Sequence, residues 1–81
     1  MYLHIGKDCV INNNDIIGLF NLDYIGNTKE YRSMKKYLQE NKVLEDISNN
    51  QEKTFILLEN NKKINAYISN ISASSIRKRK M

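Results

Sequence analysis

Residues 15–22, Asp-Ile-Ile-Gly-Leu-Phe-Asn-Leu, place five apolar side chains in eight positions, and nothing else in the first half of the chain is as apolar. A near-continuous apolar run is typical of a strand that is covered on both faces. The β-branched pair Ile16-Ile17 and the interior Gly18 weigh against a helix. We therefore predict a strand in the middle of the core, with Asp15 at its exposed start.

Chain length limits how such a protein is stabilised. The 81 residues predict one domain spanning 1–81, with a short basic helix or tail at 72–81. Small domains are usually reinforced by disulfides, a metal or self-association. Cys9 and His4 are the sole cysteine and histidine, so no intrachain disulfide can form and no structural zinc site is expected. The sequence therefore predicts a homo-oligomer without a metal or other cofactor.

Turn signals and hydrophobic periodicity divide the chain into strands and helices. The predicted strands are residues 2–5, 9–11, 15–22, 54–59 and 64–69. Asn-Asn-Lys-Lys at 60–63 predicts a hairpin turn between the last two strands. The predicted fold class is therefore α+β, a small, mostly antiparallel sheet with two helices in the order βββαββα.

Capping residues locate the two predicted helices. Asn27 followed by Glu30 resembles a capping box, and the first helix is expected to end near Asn41. Its apolar stripe consists of Tyr31, Met34 and Leu38, with Tyr37 alongside. Ser72 is the predicted N-cap of the terminal helix. Residues 43–52 are interpreted as a polar connection between helix and strand.

Charge is distributed unevenly along the chain. Residues 1–76 carry nine basic and nine acidic side chains, so the net charge of +4 resides in the last basic run. That run consists of Arg77, Lys78, Arg79 and Lys80. A basic end on a neutral body favours a localised contact with a polyanion over a uniformly basic coat.

Three interpretations of the basic end remain open. Its cations suit the negative C-terminal dipole of a helix and aid solubility. They could instead bind phosphates, and each phosphate neutralised steepens the salt dependence of binding. Charge alone slightly favours the dipole interpretation. A membrane-surface patch has less support, because Ile76 is the only large apolar side chain close by. Without a signal peptide or a long apolar run, and with a free thiol, the chain is expected to be cytoplasmic.

Catalysis has little support in the sequence. Gly6, Gly18 and Gly26 are isolated and form no phosphate-binding loop. Cys9 and His4 could imitate a nucleophile and base, but residues five apart on adjoining short strands rarely meet. Cys9 is interpreted as a small core residue. We expect neither an enzyme nor a small-molecule substrate.

A series of short motifs covers nearly the whole chain. They are Met1-Tyr2-x-His4-x-Gly6, Asp8 and Val10, Asp15-Ile16-x-Gly18-x-Phe20, Lys53 before a hydrophobic strand, Tyr67-x-Ser69, Ile71-Ser72-x-Ser74 and Ile76-x-Lys78-Arg79. In these motifs the chain resembles the small bacterial regulators of extracellular-matrix genes, the RemA/RemB family, and is most similar to the RemB branch. The first block is fairly specific, and residues 27–52 match only in character.

This resemblance implies a cytoplasmic transcriptional regulator of biofilm-matrix genes that binds double-stranded DNA as a homo-oligomer, for which a ring is one arrangement. Asp15 stands where the RemA branch carries an arginine, and an acid there would repel phosphate. An arginine cluster before the fourth strand is reduced to Lys53 beside Glu52. The implied DNA-binding residues are Lys53, Lys78 and Arg79, and charge alone adds Arg77 and Lys80.

Two functional hypotheses from different classes follow. In the first, basic patches on a homo-oligomer bind the DNA backbone by avidity, with shape recognition outweighing base contacts. In the second, the oligomer is a protein-interaction module that works through a regulator partner or paralogue without itself binding DNA. Neither hypothesis involves a membrane.

Overall fold

Six strands and three helices make up the protein in a computed structural model that describes residues 1–79. The strands are β1 (Tyr2–Gly6), β2 (Cys9–Asn12), β3 (Ile16–Asn21), β4 (Leu44–Asp46), β5 (Thr54–Asn60) and β6 (Lys63–Ser69). The helices are α1 (Leu22–Ile25), α2 (Lys29–Glu40) and α3 (Ala73–Arg79). The α+β prediction is confirmed, whereas the predicted order βββαββα is corrected to βββααβββα.

The strands form two sheets. β1 and β2 make an antiparallel hairpin, and the other four strands form a sheet in the order β3-β5-β6-β4. β5 pairs antiparallel with both β3 and β6, whereas β4 lies parallel to β6. β5 is therefore an inner strand, and nearly all of its first five side chains are buried.

Side chains alternate between the two faces of the larger sheet and contribute to a separate hydrophobic core on each face. The hairpin-side core contains Leu3, Ile5, Ile11, Ile47, Ile56, Leu58 and Ile76. The helix-side core contains Leu22, Tyr31, Leu38, Phe55, Ala66 and Ile68. Consecutive residues Phe55 and Ile56 enter opposite cores, as the two-residue period of a strand requires. The sheet thus separates the β1–β2 hairpin and α3 from α2.

The predicted central position of residues 15–22 is wrong. β3 is an edge strand, Asp15 belongs to a 3-10 turn at Asn13–Asp15, and Leu22 begins α1. The strand is not covered on both faces either, because Ile17 is 54% exposed and Phe20 is 39% exposed. An apolar run shows how much apolar surface a segment carries, but the number of strand neighbours decides how much of it becomes buried.

Strand β4 is absent from the sequence prediction. Its three residues are too few for a periodic pattern, and Glu45 and Asp46 make the segment look like a loop. Pairing with β6 holds it in place, with Leu44 opposite Ala66. Ile47, directly after the strand, is only 3% exposed. The interpretation of residues 43–52 as a polar connection therefore holds only for residues 49–52, which are exposed.

Helix α2 begins one residue later than predicted. Thr28, not Asn27, is the N-cap, and its Oγ1 accepts a hydrogen bond from the Tyr31 backbone N–H at 3.2 Å. The same hydroxyl donates to the Ile25 carbonyl at 2.7 Å and so links α1 to α2. The predicted end at Asn41 is confirmed, since Asn41 is the C-cap. Thr28, bonded to both helices, thus caps α2 in place of the predicted pair Asn27 and Glu30.

Candidate nucleic-acid interface

Helix α3 presents the basic side chains, and its position is set by hydroxyl groups before it. Thr54 Oγ1 donates to the Ile71 carbonyl at 2.7 Å, and Ser69 Oγ accepts from the Ile71 backbone N–H at 3.0 Å. Ser72 is the N-cap, as predicted, because its Oγ accepts from the Ser75 N–H at 3.2 Å. The segment entering α3 is thereby tied to β5 and β6.

A small apolar face then fixes the helix against the body. Ile76 is fully buried in the hairpin-side core, and Ala73 is also buried. The helix contacts both β1 and β3. Because residues three apart lie on the same side of a helix, burying Ala73 and Ile76 directs the intervening and following polar residues outwards. Arg77, Lys78 and Arg79 consequently lie exposed on the last turn.

Both arginines of this turn are bonded to backbone carbonyls. Arg79 Nη1 donates to the His4 carbonyl of β1 at 2.6 Å, and Arg77 Nη2 donates to the Leu19 carbonyl of β3 at 3.4 Å. A guanidinium carries five N–H donors, so each arginine keeps donors for an anion. These bonds could not be predicted from the sequence, because a carbonyl acceptor has no residue-type signature.

The Lys78 side chain differs from its neighbours in having no hydrogen bond or ion pair within residues 1–79. The single ion pair in that range joins Lys35 to Glu52 at 3.9 Å and lies elsewhere. The final cation of the predicted set, Lys80, lies outside the described residues. The three described cations of the tail therefore form one exposed cluster, with Lys78 the least engaged.

Lys53 is held by its backbone at the start of β5. Its N–H donates to the Ser69 carbonyl at 3.0 Å, and its carbonyl accepts from the Leu22 N–H at 2.9 Å. The exposed side chain borders an open cleft of about 560 Å³ that also includes Asp23, Glu52 and Ser72. Acidic residues line the same cleft, and although Glu52 pairs with Lys35, they reduce the value of Lys53 as a phosphate contact.

The structure does not bring Lys53 and the tail into one contact. Lys53 shares its cleft with Ser72 and Ala73 at the beginning of α3, whereas the cations occupy the last turn. At about 1.5 Å of rise per residue, the ends of α3 are roughly 9 Å apart. The predicted residues form a main cluster at Arg77, Lys78 and Arg79 and a separate cation at Lys53.

Asp15 and Lys53 lie near opposite ends of β5. The Asp15 carboxylate accepts a hydrogen bond from Asn60 Nδ2 at 3.0 Å, at the hairpin end of that strand. Lys53 precedes the other end, and six residue steps of about 3.3 Å put roughly 20 Å between the ends. An arginine at position 15 would therefore lie about one strand length from Lys53 within one chain.

Cys9 and His4 occupy different environments. Cys9 packs half-buried against the hairpin-side core, whereas His4 is exposed on β1 opposite Val10. Cys9 lies beside Tyr67, whose pKa is raised first by burial and then by this thiol. The considered nucleophile–base pair is thus divided between a half-buried Cys9 at the edge of the core and an exposed His4.

The described part of the chain holds neither a metal-type cluster nor a membrane-spanning helix. No three His, Cys, Asp or Glu side chains come together there as a metal site would require. Among the helices of residues 1–79, none has both the length and the apolar character to cross a membrane.

Comparison with known proteins gives no family. No protein-family model matches the chain, and no curated protein matches it. The resemblance to the RemA/RemB regulators therefore stays a prediction that depends on the motifs themselves.

Proposed function

We propose that this chain is a cytoplasmic, homo-oligomeric regulator of bacterial extracellular-matrix genes that binds the backbone of double-stranded DNA. The observation that supports DNA binding is the exposed basic turn of α3. Arg77, Lys78 and Arg79 are carried by a helix anchored through Ile76, and none of them pairs with an acid within residues 1–79.

Anchoring matters because flexible cations lose conformational entropy when they bind. The carbonyl bonds of Arg77 and Arg79 already restrict those side chains, so less ordering is needed when their remaining donors meet phosphates. The same cations suit the C-terminal dipole of α3, so the dipole interpretation and the phosphate interpretation are compatible. Phosphate then competes only with water for Lys78.

Affinity comes from repetition of this small patch. Three described cations per chain give modest affinity, and Lys80 adds a fourth charge in the sequence. A homo-oligomer multiplies these contacts and binds a duplex by avidity. Lys53 contributes as a secondary contact because Asp23 and Glu52 border the same cleft. Contacts to phosphates fix position on the duplex, and DNA shape supplies selectivity.

A lysine substitution on the basic turn tests DNA binding directly. Lys78→Gln removes a charge without removing a hydrogen bond within the described residues, so the fold stays intact. The slope of log affinity against log salt should become shallower by about 0.9 for each phosphate that the variant no longer neutralises. The measurement is fluorescence anisotropy of a labelled duplex from low to moderate salt.

Lys36→Gln is the matched control, because Lys36 is an exposed lysine on α2. Its side chain has no hydrogen bond or ion pair within residues 1–79. It should reproduce the native slope. Equal slopes for native protein and both variants would remove Lys78 from the interface. Failure of the native protein to bind any duplex at low salt would refute the proposed DNA binding.

The second candidate function is the protein-interaction module that acts through a regulator partner or paralogue. This alternative is favoured by the apolar side chains that α2 exposes, Met34 and Tyr37. Its distinguishing result is retained regulatory function in cells by a chain that shifts no duplex at low salt.

A further inference from the structure

Large apolar side chains are exposed on one flank of α2 and on the strands beside it. They are Phe20, Met34, Tyr37 and Ile64, with exposed fractions of 39%, 43%, 64% and 38%. Scattered exposed hydrophobes are normal, but a contiguous group of them marks an interaction surface. We call these four residues the apolar strip.

Helical and strand geometry make the strip continuous. Glu30, Met34 and Tyr37 are spaced by four and three residues, so they lie on one side of α2. Phe20 and Met34 line a groove of about 190 Å³ whose wall includes the core residue Phe55. Tyr37 and Ile64 line a second groove, formed with Leu38 and Val43 at the other end of the helix.

The sheet beneath this flank is incompletely covered. Leu57, opposite Gly18, is only partly buried although it packs against the helix-side core. The Phe20 ring folds back over Gly18, where an added Cβ would lie 2.5 Å from the ring. Phe20 thus covers the outer part of β3 on this face. The covering remains partial, since its ring is itself partly exposed.

Charge differs between the two ends of the strip. Glu30 borders the groove at the Phe20 end, and Lys63 borders the groove at the Ile64 end. Lys62 and Glu59 lie near Lys63 in the β5–β6 hairpin, so this corner retains one net positive charge. The strip therefore runs from an acidic end to a basic end.

We propose that the occupant of this strip is a second copy of the same chain, bound about a two-fold axis. A two-fold axis lays one strip antiparallel on the other and brings Glu30 of each copy towards Lys63 of its partner. The contact is isologous, because the same residues serve both sides. This assignment rests on the self-association included in the proposed function, and it names the surface of one two-fold contact within that oligomer.

Apolar burial drives the association, and the charges select the antiparallel orientation. The parallel arrangement would place like charges at each end, which is unfavourable. The basic turn of α3 lies on the hairpin side of the sheet, away from α2. Pairing through the strip consequently leaves the DNA-binding cluster of both copies accessible.

Substituting a charged residue into the strip tests the surface. Sedimentation equilibrium should show at least about tenfold weaker association for Tyr37→Glu and for Met34→Glu than for the native chain. Tyr2→Glu is the matched control for Tyr37→Glu, because Tyr2 is an exposed tyrosine, at 72% against 64% for Tyr37, but lies on β1. It should associate like the native chain. Circular dichroism confirms that each variant is folded.

A charge swap tests the orientation. Glu30→Lys and Lys63→Glu should each weaken association several-fold, and the double variant should recover most of the native affinity. Native-like association of the strip variants would overturn the assigned surface. Failure of the double variant to recover would overturn the two-fold arrangement.

The DNA proposal is judged separately. If every strip variant associates like the native chain while Lys78→Gln lowers the salt slope, the assigned contact surface is refuted and the proposed DNA binding stands. A native chain that remains monomeric would refute the strip and the homo-oligomer together, whereas its duplex binding would still decide the role of α3.

Discussion

Helices α2 and α3 are attached to opposite faces of the same sheet in very different ways. The seven residues of α3 are fixed by one fully buried isoleucine and two arginine–carbonyl bonds. The twelve residues of α2 bury Tyr31 and Leu38 but leave Met34 and Tyr37 exposed. The short helix is thus fully packed within one chain, whereas the long helix leaves apolar surface uncovered.

The largest expected effect concerns the anchor of α3. Ile76→Ala should lower the free energy of unfolding by about 2–5 kcal/mol, since it removes a fully buried side chain and leaves a cavity. Ile64→Ala, in the half-exposed strip beside α2, should cost less than about 1 kcal/mol. Urea unfolding measures both. Equal losses would contradict the contrast between the two helices.

The next effect concerns how α2 is attached. The Tyr31 hydroxyl is buried without a hydrogen-bond partner in the described structure. Tyr31→Phe removes a polar group whose desolvation is uncompensated, and it keeps the edge-on packing against Phe55 at 5.3 Å between ring centroids. The variant should be more stable by about 1 kcal/mol in urea unfolding. A loss of stability would reveal a partner for the hydroxyl.

The pH dependence of the same variant has a definite sign. Burial, then Glu52, then Asp46 raise the pKa of Tyr31 from 10.0 to about 12. Ionisation of Tyr31 therefore leaves the free energy of unfolding unchanged below pH 10 and lowers it as the pH rises through 12. The reason is that this tyrosine loses its proton first in the unfolded chain. Tyr31→Phe should lose less stability between pH 10 and 12, although Tyr67, also raised, keeps part of the slope.

Local features could be predicted well from the sequence, and the long-range arrangement poorly. The hairpin at Asn60–Lys63 is confirmed because Asn61 and Lys62 adopt the positive φ values, 53° and 65°, that a two-residue turn needs. The Ser72 cap is likewise a local hydrogen bond. By contrast, the edge position of β3 depends on which strands pair, and that information is spread over the whole chain.

The candidate site shows the same division. Charge counting located the cluster at Arg77, Lys78 and Arg79, since net charge is additive along the sequence. It offered no means of separating Lys53 from that cluster, because their spacing depends on where α3 docks. The strip was equally hidden, since Met34 and Tyr37 fit the apolar stripe of a buried helix and only the narrow sheet leaves them uncovered.

The smallest effect separates two neighbours on α3. Arg79→Gln removes the hydrogen bond to His4, and because that bond is exposed the loss of stability should be about 0.5–1 kcal/mol. Lys78→Gln should change stability by less than about 0.5 kcal/mol, because no described protein group bonds to the Lys78 side chain.

Thermal or urea unfolding of both variants, together with their duplex affinities, distinguishes anchoring of the helix from binding of DNA. If Arg79 only anchors, its variant loses stability but keeps the native salt slope at temperatures where it is folded. If its remaining donors also hold phosphate, the slope falls as it does for Lys78, and the arginine serves both the fold and the proposed interface.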